Sequence, residues 1–192
     1  MKPNLQAHVQ VEIKDKAGKV VKRYRQKLAR SYVRQMIDML NAYMGDIEGN
    51  VVKDTVGDIT NIYHSGGYWK SVLAIAGAGL VTYGILCGSG TDAVTISDYY
   101  LPHLINHGDT SNKLNYGAVS VGNVAIVGSS AKFTIARTLT NNSGADISPS
   151  EVALVLKISD VTQYFMVDHT LFNFTIGNGL SGTVTYTISV TV

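Results

Sequence analysis

The chain has one cysteine and only three prolines in 192 residues. A single cysteine, Cys87, excludes an intrachain disulfide framework, and its apolar neighbours favour a buried, unreactive thiol. Charged residues make up 16% of the chain, below the usual quarter. Such a sparsely charged surface is typical of a protein partly covered by neighbouring subunits, so we expect a homo-oligomer.

Several signatures of catalysis are also missing. No serine stands in a Gly-x-Ser-x-Gly motif and no Gly-Lys-Ser/Thr triplet marks a phosphate-binding loop. The glycines in residues 77–79 lack the third glycine of a dinucleotide fingerprint, which favours a packing role. Trp69, Tyr68 and Tyr63 could form a sugar-stacking platform, but a core or interface aromatic cluster is favoured.

The histidines give no clear catalytic or metal-binding pattern. His103 and His107 are four residues apart, a spacing that could hold zinc on one helix face, but a proline and a glycine bracket them. His169 follows Asp168 inside a predicted strand, where adjacent side chains point to opposite faces and cannot form a dyad. We therefore expect no catalytic residue, no cofactor and no metal, and we predict that the protein is not an enzyme.

Long hydrophobic runs are scarce. Residues 1–16 are polar and charged, with no apolar stretch of the kind found in secretion signals. Residues 71–87 carry no charge over seventeen positions, but glycine, threonine and tyrosine interrupt them and they barely reach spanning length. We expect no membrane association.

The charge that is present is unevenly distributed. Residues 1–34 contain ten lysines and arginines and two acids, a balance of +8, whereas the other 158 residues contain six bases and twelve acids, a balance of −6. This asymmetry predicts two surfaces with different neighbours.

The clearest structural signal is the C-terminal strand. In residues 183–192, threonine or serine alternates with apolar residues at every position, which is typical of a half-buried strand. The polar face of this strand has no charge, although exposed edge strands usually carry charges that block pairing. The strand should therefore be internal to its sheet, or its outer face should be covered by another subunit.

The rest of the chain predicts a mainly β protein. Residues 8–13 and 20–25 form a basic hairpin, and residues 31–45 form one amphipathic helix with Ser31 as its N-cap. The apolar stripe of this helix contains Val33, Met36, Ile37, Leu40, Tyr43 and Met44. Short strands separated by turns follow, among them residues 81–87 and 115–127, and Ser97 could cap one helical turn through Leu101. The predicted fold is an antiparallel β-sandwich, jelly-roll-like, with an N-terminal β-hairpin and one α-helix. Residues 1–45 form the anchoring element and residues 46–192 form the sandwich body.

The basic hairpin is the feature with the most functional weight. Its cations could dock on an acidic neighbouring subunit, contact nucleic acid phosphates or be a solvated face. Docking is favoured over nucleic acid because few aromatic residues lie among the cations. The candidate docking residues are Lys19, Lys22, Arg23, Arg25, Lys27, Arg30 and Arg34.

Three segments carry a resemblance to known proteins: residues 84–99 (GILCGSGTDAVTISDY), 133–147 (FTIARTLTNNSGADI) and 184–190 (VTYTISV). They resemble small β-rich virion structural proteins of tailed phages and related viruses, which are capsid decoration or tail components. The resemblance implies a virion protein that is assembled in the host cytoplasm and contacts capsid or tail subunits. We expect a capsid decoration protein, with a tail, neck or fibre component that binds a receptor or carbohydrate as the alternative.

Overall fold

The computed structural model describes residues 4–29, 32–45, 51–61, 63–64, 68–69, 71–159 and 162–191. The order of elements is β1 (Asn4–Lys14), β2 (Val20–Ala29), α1 (Arg34–Gly45), β3 (Val51–Lys53), β4 (Ile59–Asn61), β5 (Tyr63–His64), β6 (Tyr68–Trp69), β7 (Val72–Leu73), β8 (Gly84–Gly88), β9 (Asn115–Val121), β10 (Ala125–Val127), β11 (Ser130–Thr140), β12 (Glu151–Ile158), β13 (Tyr164–Leu171) and β14 (Ser181–Thr191). The protein is mainly β and its sheets are antiparallel, as predicted. The jelly-roll-like detail stays a prediction.

The larger sheet has the order β11, β14, β1, β2, with β9 and β10 paired end to end along the outer edge of β11. The predicted C-terminal strand, β14, lies in its middle and pairs with β1 on one side and β11 on the other. The strand is therefore internal, which explains why its polar face needs no edge-protecting charge. Its apolar residues Val184 and Tyr186 are fully buried against the smaller sheet.

The smaller sheet contains β13, β12 and, along the other edge of β12, β8 and β7. All five residues of β8 are buried, and seven of the eight residues of β12 are buried. Such continuous burial requires cover on both faces, because successive side chains leave a strand on opposite sides. The larger sheet covers one face, and the connection between β8 and β9 crosses the other.

The helix continues from an extended segment at the edge of the smaller sheet. Tyr32 forms a β-bridge with Asp168, and the Val33 N–H donates to the carbonyl of Val167. Val33 is buried and Met36 and Leu40 are partly buried, as the predicted apolar stripe requires, but Ile37 is 59% exposed. Met39, which the predicted stripe does not contain, is buried. The predicted N-cap Ser31 and the side chains of Tyr43 and Met44 lie outside the described residues.

Three local predictions are corrected. Residues 97–101 form no helical turn, because Asp98 accepts hydrogen bonds from the backbone N–H and hydroxyl of Thr95 and closes a turn there. The strand predicted for residues 81–87 begins only at Gly84, whose positive φ of 88° marks the bend into β8. The strand predicted for residues 115–127 is interrupted at residues 122–124.

The expected boundary at residue 45 does not separate the sheets. Strand β1 pairs with β14 along eleven consecutive residues, so the N-terminal hairpin is part of the larger sheet of the sandwich. The uncharged residues 71–87 form β7, a loop and β8. Among the described residues, no helix is long and apolar enough to span a membrane.

Candidate functional site

The turn of the basic hairpin is held by one carboxylate. Asp15 Oδ1 accepts hydrogen bonds from the backbone N–H groups of Ala17 and Lys19, both at 2.9 Å. Gly18 takes a φ of 80°, which a side chain would disfavour, and its N–H donates to the Asp15 carbonyl. The turn is thus closed, and exposed Lys19 lies at its end.

Strand β2 is the edge of the larger sheet and is anchored by Tyr24. The Tyr24 hydroxyl accepts a hydrogen bond from the backbone N–H of Thr175 at 2.8 Å, and its ring packs edge-on against Phe174. Because side chains alternate along a strand, Arg23 and Arg25 leave β2 on the other face. Both arginines are exposed, and Arg23 pairs with Glu12 across the strands at 2.8 Å.

Lys22 lies on the same side of β2 as Tyr24, with its ammonium 4.6 Å from the centre of the tyrosine ring. This cation–π contact holds an exposed charge beside the anchored ring. Within the described residues, Lys19, Lys22 and Arg25 form no ion pair. We name Lys19, Lys22, Arg23 and Arg25 the basic edge, since they decorate the outermost strand of the larger sheet and the turn before it.

Of the other three candidate docking residues, only Arg34 has a side chain among the described residues, and it lies apart from the basic edge. Lys27 belongs to β2, opposite Val9, but its side chain lies outside the described residues, as does Arg30. Arg34 is the first residue of α1, and its side chain pairs with Asp38 at 3.1 Å. Of the five predicted docking residues whose side chains are described, the structure therefore brings four together.

A histidine held between two carboxylates lies on the outward face of the smaller sheet. His169 Nδ1 is 2.7 Å from Asp98 Oδ2, and His169 Nε2 is 2.8 Å from Glu151 Oε2. Glu151 also accepts a hydrogen bond from the Gly90 N–H at 2.9 Å. Burial opposes the charged form of His169, but the hydrogen bonds to Glu151 and Asp98 outweigh it and raise the pKa of His169. Burial likewise opposes the charged form of Glu151, but the bonds from His169 and the Gly90 N–H lower its pKa. The pKa of Asp98 is also lowered despite burial, first by its bonds from Thr95 and then by His169.

The neighbouring Asp168 points to the other face, as the alternation of the strand predicts. Asp168 Oδ2 accepts hydrogen bonds from Tyr186 Oη and Thr170 Oγ1, both at 2.9 Å, between the two sheets. Burial raises the pKa of Asp168 to about 6, and the bonds from Tyr186 and Thr170 offset only part of that effect. Asp168 and His169 therefore form no dyad with each other.

The Asp98–His169–Glu151 group is suited to holding structure together. An imidazolium that donates both N–H groups to carboxylates has no free nitrogen to act as a base or to bind a metal. The group ties the loop containing Gly90 and Asp98 to strands β12 and β13. The sequence contained one sign of this group, because a glutamate begins the mainly apolar run 151–158. The contact with Asp98 could not be predicted, because Asp98 is 71 residues from His169.

A second buried charge, Arg137, was not recognised in the sequence. It is 1% exposed, and its guanidinium donates to the carbonyl oxygens of five residues, with the ring of Tyr116 4.7 Å away. The accepting residues are Gly77, Leu80, Tyr83, Ile85 and Gly117. The available signal was its place among the inward-facing residues Ile135 and Leu139 of β11.

The two spaced histidines have separate surroundings. His103 Nε2 is 3.8 Å from an oxygen of Asp92, whereas His107 Nδ1 accepts the backbone N–H of Tyr116. Among the described residues, no group of three or more histidine, cysteine or acidic side chains is arranged to hold a metal ion.

The buried acids and His169 predict a pH dependence of stability. The raised pKa values of His169 and Asp168 give stability that is present at low pH and is lost as pH rises through each folded-state pKa. The lowered pKa values of Glu151 and Asp98 give stability that is lost as pH falls through theirs. The free energy of unfolding should therefore be highest near pH 5 and about 1–2 kcal/mol lower at pH 8.

Urea unfolding at a series of pH values measures this profile. Asp168→Asn keeps an acceptor oxygen for Tyr186 and Thr170 but cannot ionise, so it should flatten the decline between pH 5 and pH 8. An equally steep decline in this variant would show that Asp168 is not a source of the pH dependence.

No family model, curated protein or solved structure matches this chain. Its resemblance to virion structural proteins stays a prediction, and the assignment of function depends on the residues and contacts of the structure.

Proposed function

We propose that this protein is a structural component of a virus particle, a capsid decoration protein that docks onto other virion subunits through its basic edge. The observation that carries the proposal is the display of Lys19, Lys22, Arg23 and Arg25 on the outermost strand of a well-packed sheet and the turn before it. The anchored strand lowers the entropy lost on docking, because the backbone is already ordered before the partner binds. The resemblance of residues 84–99, 133–147 and 184–190 to virion proteins supplies the kind of partner.

Charge supports a protein partner for this edge. The cations belong to a segment with a balance of +8, on a chain whose remainder carries −6. An acidic surface on a neighbouring subunit would complement the basic edge and set the orientation of docking. The same cations are also suited to two different roles: lysine on an edge strand blocks unwanted strand pairing, and positive charge attracts nucleic acid.

The test needs point substitutions because the hairpin cannot be removed cleanly. Deleting residues 1–30 would take away β1 and expose one whole edge of β14. The double variant Lys19→Glu/Arg25→Glu instead reverses two exposed charges and leaves the Lys22–Tyr24 contact and every described side-chain hydrogen bond in place. We expect its affinity for particles that lack this chain to fall by about tenfold or more, because repulsion replaces attraction.

The matched control is Lys113→Glu/Lys157→Glu, which makes the same change in net charge away from the hairpin and should bind normally. Equal binding by both double variants and the unmodified chain would contradict docking through the basic edge. Binding to a DNA or RNA oligonucleotide with a steep dependence on salt, together with normal particle binding, would favour nucleic acid as the partner. Mass spectrometry of purified virions tests virion membership itself, since absence of the chain from them would contradict it.

A tail, neck or fibre component that binds a carbohydrate is the second candidate. The hairpin of β5 and β6 places Tyr63 opposite Trp69 in the strand register, next to the pair of His64 and Tyr68. Neighbouring aromatic positions are the arrangement that sugar-stacking platforms require. Glycan binding that is lost in Trp69→Ala would support this candidate, and a glycan screen with no Trp69-dependent signal would remove it.

A further inference from the structure

The inner face of the larger sheet extends beyond the smaller sheet that covers it. Ile135, Tyr186 and Val9 are cross-strand neighbours on this face and are almost fully buried. Four residues further along β11, β14 and β1, the same face carries the row Ile126, Ala131, Val190 and Leu5, in strand order from β10 to β1. Ile126, Val190 and Leu5 are 79%, 39% and 46% exposed. We name this row and its surroundings the overhanging face.

Two apolar hollows lie in the overhanging face. One, of about 330 Å³, opens between helix α1 and the two sheets, where Met36 and Met39 meet Leu154 and Val167. The other, of about 200 Å³, lies among Leu5, Val124 and Val190. The two hollows adjoin each other, because Phe133 and Ile188 line both of them.

Apolar side chains also project from the same face. Ile126 of β10 and Val124 just before it are exposed, beside the exposed Val121 at the end of β9, which pairs with Ile135. With Leu5 and Val190, five large apolar side chains are exposed around the two hollows. Contiguous apolar patches beyond a few hundred Å² on a monomer mark sites of interaction.

We propose that the overhanging face is a two-fold interface with a second copy of this chain. A two-fold contact uses the same patch on both subunits, so that patch must contain both the projecting groups and the hollows that receive them. The overhanging face contains both, with Ile126 and Val124 beside the hollows lined by Phe133 and Ile188.

Charge and size favour a second copy over a different partner. Among the described residues that line the two hollows, the only charged one is Lys132, so a two-fold axis brings few like charges together. Homodimer interfaces have an apolar core within roughly 800 Å² per partner. Five exposed aliphatic side chains and two apolar hollows would supply such a core. This inference goes beyond the proposed function and holds whether or not the chain docks onto a particle.

Sedimentation velocity of the full chain tests the interface. We expect a concentration-dependent species of twice the 20.6 kDa chain mass. In the two-fold dimer, Ile126→Lys would place a charge against the apolar surface of the second copy. The dimer dissociation constant of this variant should therefore rise by about 30-fold or more. Ile126→Met keeps an apolar group of similar size and should leave the dimer intact.

The matched control is Val56→Lys, because Val56 is also 79% exposed but lies in the turn between β3 and β4. It should dimerise like the unmodified chain, and circular dichroism confirms that each variant is folded. A monomer at high micromolar concentration overturns the proposal, as does a dimer that Ile126→Lys leaves unchanged. A monomer that binds lipid vesicles or an apolar peptide through Ile126 would likewise overturn it and assign the face to that partner.

Discussion

Replacing Arg137 by leucine lowers the free energy of unfolding by about 3–5 kcal/mol. The guanidinium donates hydrogen bonds to the carbonyl oxygens of five residues. They include Gly77 and Leu80 in the loop before β8 and Gly117 in β9. Leucine offers no donor, so these buried acceptors lose partners that water cannot easily replace. Chemical denaturation in urea measures the loss.

Two companion variants separate the loss of these bonds from a general effect of losing an arginine. Arg137→Lys keeps the charge but presents a single nitrogen with three donors, which cannot reach all five carbonyls, so its loss should be intermediate. Arg25→Leu removes an exposed arginine from β2 and should change stability by less than about 0.5 kcal/mol. An Arg137→Leu variant within about 1 kcal/mol of the unmodified chain would contradict the role assigned to these bonds.

Replacing His169 by leucine should destabilise the protein by about 3 kcal/mol at pH 6. The change removes the positive charge that pairs with the buried carboxylate of Glu151. Among the described hydrogen bonds of this carboxylate, the one from the Gly90 N–H then remains. An unpaired buried carboxylate is costly, whereas a neutral amide at the same place is not. Asp98 is less affected because it is nearer the solvent.

The double variant His169→Leu/Glu151→Gln tests that cause directly. Glutamine removes the charge and keeps an oxygen that can accept from Gly90, so the double variant should be more stable than His169→Leu alone. If adding Glu151→Gln makes the protein less stable still, packing of the imidazole ring and not charge burial accounts for the loss.

Both buried centres connect loops to sheets. Arg137 holds the glycine-containing loop between β7 and β8, and His169 holds the loop that crosses the outward face of the smaller sheet. A leucine at either position would therefore loosen a loop as well as lower the stability of the core. Neither centre presents a free reactive group, which is compatible with a structural role.

Much of the fold could be predicted from the sequence because its signals are local. Alternation along residues 183–190 predicted both the strand β14 and its buried residues, and the 3.6-residue period predicted α1. The helical turn predicted at Ser97 was wrong, because the side chain of Asp98 bonds to Thr95 and favours a turn. Ile37 was predicted to lie in the apolar stripe of α1 but is exposed. Periodicity identifies the apolar stripe of a helix but does not show how much of that stripe the neighbouring strands cover.

The candidate sites were predicted less completely. Residue type and clustering were enough to select the basic edge, yet only the structure separated Arg34, which pairs with Asp38, from the cations of the hairpin. Arg137 stood at an inward position of a predicted strand, so its burial could have been anticipated, but its acceptors could not. Four of the accepting residues lie 52 to 60 positions earlier in the chain.

The sequence by itself determined which segments become strands and which side of each strand is apolar, because side-chain alternation is a property of the pleated backbone at each residue. Only the tertiary structure decided which strands pair, that β14 lies between β1 and β11, and that His169 meets Asp98 and Glu151. It also decided that the larger sheet extends past the smaller one and leaves Leu5, Ile126 and Val190 exposed. Such outcomes depend on contacts between distant segments, and no local pattern encodes the relative offset of two packed sheets.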